Sequence, residues 1–265
     1  MLVIEQELSY PGADVNEDLV WHGPHDAVVL DGSSTLSGAG HDAVEYVRAF
    51  IGCYEDEAAA GRGLVESING AISSLRERFD PSLYAEGIVP SAAGAFVRET
   101  HDALEVASIA DCTVVVLGRD GSVTRVRDCA IDRFDAEVIE LAASIRTDTG
   151  MDIAETMRLP QIRSALLANR KRMNTPGGYR VLASNMEPID ASSVVRFDKD
   201  TVARVLVHSD GFDSATEGVS LASCDLDLEG LYRELRASER ADVSLNRRPR
   251  FKVSDDASAL LLRIG

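Results

Sequence analysis

Positive charge is scarce in this sequence. Lys and Arg number 27 against 44 Asp and Glu, which leaves a formal net charge of −17. Phosphate backbones and anionic lipid need a basic footprint, so this balance argues against nucleic acid and membrane surfaces as partners. Small anionic substrates stay open where a cation stands between protein and ligand. Long apolar runs are missing too, since no stretch reaches the roughly 18 residues of a membrane span. The N-terminus, MLVIEQELSY, has no basic region followed by an apolar stretch and a cleavage site, so no secretory signal is expected. Cysteine is sparse: Cys53, Cys112, Cys129 and Cys224 lie far apart, with no zinc-knuckle or redox-motif spacing. They read as reduced thiols, mostly small core hydrophobes, in a cytoplasmic protein.

What is present suffices for a sizeable core. Hydrophobic residues make up 45% of 265 residues, and no repeat, linker or low-complexity tract interrupts them, so one domain over 1–265 is expected. Leu2 to Leu8 alternates, and Leu19 to Trp21 and Ala27 to Leu30 are short apolar runs. These read as strands. Helical spacing follows in Ala43, Val44, Val47, Phe50 and Ile51, and again in Leu64, Ile68, Ile72 and Leu75. Strands return at Ala92 to Val97, Leu104 to Ile109, Thr113 to Leu117 and Val123 to Val126. Two helical segments come next, Ala136 to Ile145 and Ile153 to Leu167, the second broken by Pro160. Tyr179 to Ala183, Ser193 to Phe197 and Val202 to Val207 read as strands, Leu226 to Ala237 as a helix and Ala259 to Ile264 as a last strand. Runs of strands separated by helix pairs predict an α+β chain of mostly antiparallel sheets with helices packed on them.

Acidic residues recur at the ends of these strands. Glu17 and Asp18 precede one, Asp31-Gly32 and Asp210-Gly211 follow others, and Asp255-Asp256 precedes the last. Alone, each Asp-Gly reads as a turn. Together, carboxylates held at one sheet rim repel and resist desolvation unless a cation neutralises them. All-oxygen donors suit Mg²⁺ or Mn²⁺, and a Gly beside the Asp lets a carbonyl approach the ion. Such a site suits phosphate-ester hydrolysis.

The ordered set Asn16-Glu17-Asp18, Val29-Leu30-Asp31-Gly32, Ala107-Ser108-Ile109-Ala110-Asp111, His208-Ser209-Asp210-Gly211 and Asp255-Asp256-Ala257-Ser258 resembles the metal-dependent protein phosphatases of type 2C, in their bacterial form. The resemblance runs through nearly the whole chain. It implies a four-layer α-β-β-α sandwich of two mainly antiparallel sheets with helix pairs outside, and two Mn²⁺ or Mg²⁺ ions. By that resemblance Asp31 bridges the ions, the Gly32 carbonyl, Asp210 and Asp255 complete the ligands, and Glu17 and Asp18 hold metal-bound water. Asp111 would join Asp210 at a third ion. The implied reaction is hydrolysis of phosphoserine or phosphothreonine by direct attack of a water or hydroxide between the metals, with Asp31, Asp18 and Glu17 as its catalytic residues. The implied partner is a phosphorylated protein.

Two positions depart from the family. Ala13 stands where it usually carries an Arg that grips phosphate, and Ser33-Ser34-Thr35 replaces a common His-Gly-Gly. The missing Arg removes a bidentate charged contact. Arg247, Arg248 and Arg250, just before Asp255, are candidates to replace it, and His22, His25 or His41 could supply an acid or an extra ligand. Arg170-Lys171-Arg172 reads as a solvated helix end or as an attractor of phosphorylated substrate. The segment Ser33 to Gly40 lacks a phosphate-loop ending. Two alternatives remain beside the phosphoprotein phosphatase: a pseudophosphatase that keeps the fold without turnover, and a hydrolase of small phosphorylated metabolites.

Overall fold

The computed structural model describes residues 1–35, 42–217, 219–221, 226–242, 245 and 250–264. Ten strands form two five-stranded sheets. The first runs in the order β1 (Leu2–Tyr10), β10 (Ala257–Ile264), β9 (Val202–His208), β6 (Thr113–Gly118) and β7 (Val123–Val126). The second runs β2 (Leu19–His22), β3 (Asp26–Ser33), β4 (Ser91–Glu99), β5 (Ala103–Ile109) and β8 (Val195–Asp198). Every pairing is antiparallel.

The period-two rule explains the layers. Along β3, Ala27 and Val29 join Val97, Val106, Val114, Val205, Val207, Leu260 and Leu262 between the sheets, whereas Val28 and Leu30 face outward. Such a strand is buried on both faces and therefore reads as an unbroken apolar run. Each buried Val or Leu contributes about 1.5–3 kcal/mol. Helices α1 (Asp42–Ala59) and α2 (Leu64–Leu75) cover that outward face through Tyr46, Phe50, Tyr54, Ile68 and Ile72. Phe96 of β4 meets the rings of Phe50 and Tyr54 with centroids 6.0 and 5.6 Å apart. On the far face of the first sheet, α6 (Leu228–Ala241) and the 3-10 segment Asp210–Thr216 pack over Leu206, Ala259 and Leu261. The result is an α-β-β-α sandwich.

Three further helices, α3 (Asp132–Thr149), α4 (Ile153–Met157) and α5 (Pro160–Arg170), share a small core of Val138, Ala142 and Ile162. Pro160 does not kink a helix but starts one, in the first turn of α5, where its missing N–H is harmless. Asp152 and Glu155 close a capping box on α4. The expected strand at Tyr179 to Ala183 is not formed. Only single bridges occur there, Ala92 with Leu182 and Met173 with Tyr179. The edge of β4 is taken by β5 from Gly94 onward, so only Ser91 to Ala93 are left on it, and Ala92 forms the one bridge.

Candidate active site

Asp31 and Gly32 lie inside β3 and form no turn. Asp31 pairs with Ala93, Gly32 with Ala92 and Ser33 with Ser91. These small partners leave open space in front of Asp31. Gly32 has a second reason to be glycine. Its N–H donates to the Glu17 carbonyl at 3.2 Å, and a Cβ there would stand 2.5 Å from that oxygen. The loop carrying Glu17 thus closes directly on β3. A Cβ on Gly211 would stand 1.8 Å from the Asp256 carbonyl, so those two segments interlock in the same way.

Asp256 holds the loop. Its two oxygens accept the N–H groups of Gly12 and Glu17, each at 2.7 Å. Asp18 accepts from the Ser209 hydroxyl at 2.7 Å, and that hydroxyl in turn accepts the Ser258 N–H at 3.0 Å. Three distant chain segments therefore meet on one hydrogen-bond chain. Asp111 sits in the turn between β5 and β6, directly after Ala110, whose φ of 60° is left-handed. A non-glycine there carries strain of order 1 kcal/mol, of the kind that gathers at functional sites. The Ser108 hydroxyl braces that turn on the Cys112 carbonyl at 2.8 Å.

These segments bring Glu17, Asp31, Gly32, Asp111, Asp210 and Asp255 to one cavity of about 270 Å³. It holds several waters' worth of volume, each about 30 Å³. Asp31 and Asp210 are driven well above the usual carboxylate range. Burial is the main cause for both, followed for Asp31 by the charges of Asp18, Asp210, Asp111 and Asp255, and for Asp210 by those of Asp111 and Asp255. A hydrogen bond with Asp31 pulls Asp210 partly back. Burial also lifts Asp111 to about 6 and Asp18 to about 7, the latter against hydrogen bonds from Ser209 and Ser258. The Asp18 Oδ1 atom is buried and has no hydrogen-bond partner. A hard divalent cation matches this donor set in kind: oxygen ligands and excess negative charge. Among the described residues, however, no three His, Cys, Asp or Glu side chains stand in a ready-made metal geometry.

Solved structures match this chain along nearly all of its length. Serine/threonine phosphatase PstP of Mycobacterium tuberculosis is 15% identical with a TM-score of 0.59, covering 99% of this chain and 98% of that one. The catalytic domain of PstP solved with two manganese ions is 15% identical with a TM-score of 0.57, covering 99% of both chains. Phosphatase Stp1 of Staphylococcus aureus is 12% identical with a TM-score of 0.57, over 99% and 96%. The fold is that of the bacterial type 2C phosphatases. No protein-family model matches the sequence, and no curated protein does. At these identities the likeness is one of fold.

Within the type 2C fold, several expected residues lie elsewhere. Asp18 is behind Asp31 and does not line the cavity. His22 and His25 flank the turn at the opposite end of β3, and His22 faces Glu7 at 3.5 Å. Six residues of strand separate His25 from Asp31, about 20 Å at strand rise, so neither histidine reaches the cavity. Arg250 is spent on the Val253 carbonyl and on Asp242 at 3.2 Å. Arg247, Arg248, His41, Cys224 and most of the segment Ser33 to Gly40 lie outside the described residues.

Two cavity residues, Lys252 and Asp135, were not singled out in the sequence, and a third, Arg170, was singled out only as part of a basic cluster. Lys252 donates to Asp255 Oδ1 at 2.6 Å, three positions before it. Asp135 is lifted to about 7, chiefly by burial and then by Asp111. Arg170 turns inward, whereas its neighbour Lys171 pairs outward with Glu86 at 2.5 Å. Both residues stand at the end of α5, but only Lys171 is the solvated charge that the helix-end reading expected. An i,i+3 Lys–Asp pair was the one signal visible in sequence for Lys252, the basic run 170–172 was the signal for Arg170, and nothing local marked Asp135.

Proposed function

We propose that this chain is a metal-dependent phosphatase that hydrolyses phosphoserine and phosphothreonine monoesters with Mn²⁺ or Mg²⁺. The observation that carries this reading is the convergence of Asp31, Asp111, Asp210 and Asp255, from four separate chain segments, on one cavity where their charges oppose each other. In this reading Asp31, the Gly32 carbonyl, Asp210 and Asp255 hold two ions, and Asp111 with Asp210 serves a third. Bound divalent ions neutralise phosphoryl charge and make a water acidic enough to attack at neutral pH. Glu17 lines the cavity, and the Ser34 hydroxyl donates to its Oε1, which fixes that carboxylate to orient the attacking water. Asp18 adds negative charge behind Asp31. The acidic wall repels a phosphate monoester until cations fill it, which makes turnover conditional on the ion.

Hydrolysis of p-nitrophenyl phosphate with Mn²⁺, beside a chelated control, tests this. Asp31→Asn and Asp210→Asn should each lower kcat at least a hundredfold, roughly the loss seen when one main charge-stabilising group is removed. Turnover indifferent to chelation and to both substitutions overturns the proposal.

One observation favours a second reading. The Lys252 ammonium already neutralises Asp255, as suits a pseudophosphatase that keeps the fold without an ion. Metal-dependent turnover of a phosphopeptide eliminates it. A panel of phosphopeptides and phosphorylated metabolites separates the protein phosphatase from a metabolite hydrolase.

A further inference from the structure

Position 13 is an exposed alanine, so this chain has no cation there to meet a phosphate. The structure offers another. Arg170, the last residue of α5, lines the same cavity as Asp31, Asp111, Asp210 and Asp255. A guanidinium in a cavity lined by six carboxylates, Asp135 and Glu17 among them, would be expected to pair with one of them. Arg170 pairs with none among the described residues. Its Nη2 donates to the Ser33 hydroxyl, one residue past Gly32, and its Nη1 to the Ser91 hydroxyl at 3.2 Å. A weak contact to Met173 Sδ at 3.8 Å completes its partners.

Two neutral hydroxyls thus fix the plane of the guanidinium without forming an ion pair, while Asp135 in the same cavity feels its charge. Arg carries five N–H donors in a planar fork, so Nε–H and part of the terminal nitrogens stay available. Ser33, accepting from Arg170, keeps its own proton to donate. The anchor points are also specific. Ser33 and Ser91 are cross-strand partners at the end of β3 that carries Asp31, so the guanidinium is fixed to the strand that positions the central carboxylate. A half-buried, oriented Arg with no direct carboxylate partner among the described residues, its charge felt by Asp135 across the cavity, matches the planar, bidentate geometry of a phosphoryl group.

We propose that Arg170, assisted by the Ser33 hydroxyl, binds the phosphoryl group of the substrate in place of the arginine that position 13 lacks. The inference rests on the phosphatase reading above and names the substrate grip of that site. The competing role is a purely structural one, as a bridge between α5 and the strand ends.

The full chain, loaded with Mn²⁺, supplies the test. Arg170→Ala should raise both KM for p-nitrophenyl phosphate and the inhibition constant of inorganic phosphate at least about tenfold, as loss of a charge-assisted hydrogen-bond pair requires. Mn²⁺ affinity by titration calorimetry should be unchanged. Arg170→Lys, which keeps charge without the fork, should recover part of the loss. Unchanged KM and unchanged phosphate inhibition overturn the proposal, as does a parallel loss of Mn²⁺ affinity, which marks a structural bridge. If the wild type shows no Mn²⁺-dependent turnover, the phosphatase reading fails. Calorimetric titration of inorganic phosphate into the Mn²⁺-supplemented wild type and Arg170→Ala then decides the grip separately. Binding present in the first and lost in the second upholds it; equal or absent binding overturns it.

Discussion

Lys252 is the side chain that most changes what Asp255 can do. Its ammonium sits 2.6 Å from Oδ1, and the charges of Asp255, Asp31 and Asp256 hold it protonated above the usual lysine range. More than half of the Lys252 side chain is exposed, so the ion pair itself contributes only about 0–1 kcal/mol. Its effect on an incoming divalent cation is larger, because two unit like charges about 4 Å apart repel by about 1 kcal/mol in water and about 4 kcal/mol at a surface-like dielectric, and a divalent ion doubles that. Lys252→Met should therefore tighten Mn²⁺ binding by about tenfold at low salt, and by less at high salt, where screening has already weakened the repulsion. Titration calorimetry at two ionic strengths checks both statements. The acidic motif was legible residue by residue, because Asp at an apolar run's end is a local pattern. Lys252 was not: an i,i+3 pair says nothing about the cavity it faces.

At the scale of elements, β3 carries function at one end and stability at the other. Asp26, its first residue, accepts from Arg98 Nε at 2.6 Å and from the Tyr54 hydroxyl at 2.7 Å, all within the α1–β4 contact. Arg98 is also bonded to the Arg62 carbonyl and to Ser67, which ties α2 to the sheet. Both members of the pair are buried. Arg98→Met leaves the Asp26 charge uncompensated and should cost about 3–5 kcal/mol, read as a lowered urea midpoint. Five residues of strand, about 16 Å, separate Asp26 from Asp31, so Mn²⁺ affinity of the folded variant should hold. Most elements were readable from periodicity because a strand buried on both faces, or a helix with one apolar stripe, writes its environment into its own residues. The failure at Tyr179 to Ala183 has the opposite cause. That run is apolar enough for a strand, but whether it becomes one depends on a free sheet edge, which β5 had already taken.

For the molecule as a whole, the cavity couples proton, cation and stability. Asp18 and Asp135 near 7 and Asp111 near 6 all stand above their ordinary 3.8. A raised carboxyl binds its proton more tightly in the folded state than in the unfolded one. Its stabilising contribution is complete below about pH 4 and is lost as pH rises through the folded value, here between about 4 and 7. The chelated protein should therefore melt at a lower temperature at pH 8 than at pH 5. Mn²⁺ should reverse the trend, since an ion that replaces the protons binds more tightly as they leave. Differential scanning calorimetry at both pH values, with and without Mn²⁺, reads this directly. A melting temperature that rises with pH in the chelated protein contradicts it.

The sequence by itself determined most strands and helices and the order of the acidic motifs, because burial periodicity and short Asp-containing motifs are local properties of the chain; the layered sandwich was what the type 2C resemblance implied. Only the tertiary structure decided which cations share the cavity. Arg170 turns inward and Lys171 outward, although they are neighbours in one basic run. That choice depends on where α5 docks against Ser33 and Ser91, residues 137 and 79 positions away. Contacts at such separation are set by how whole elements pack, and no local pattern records them.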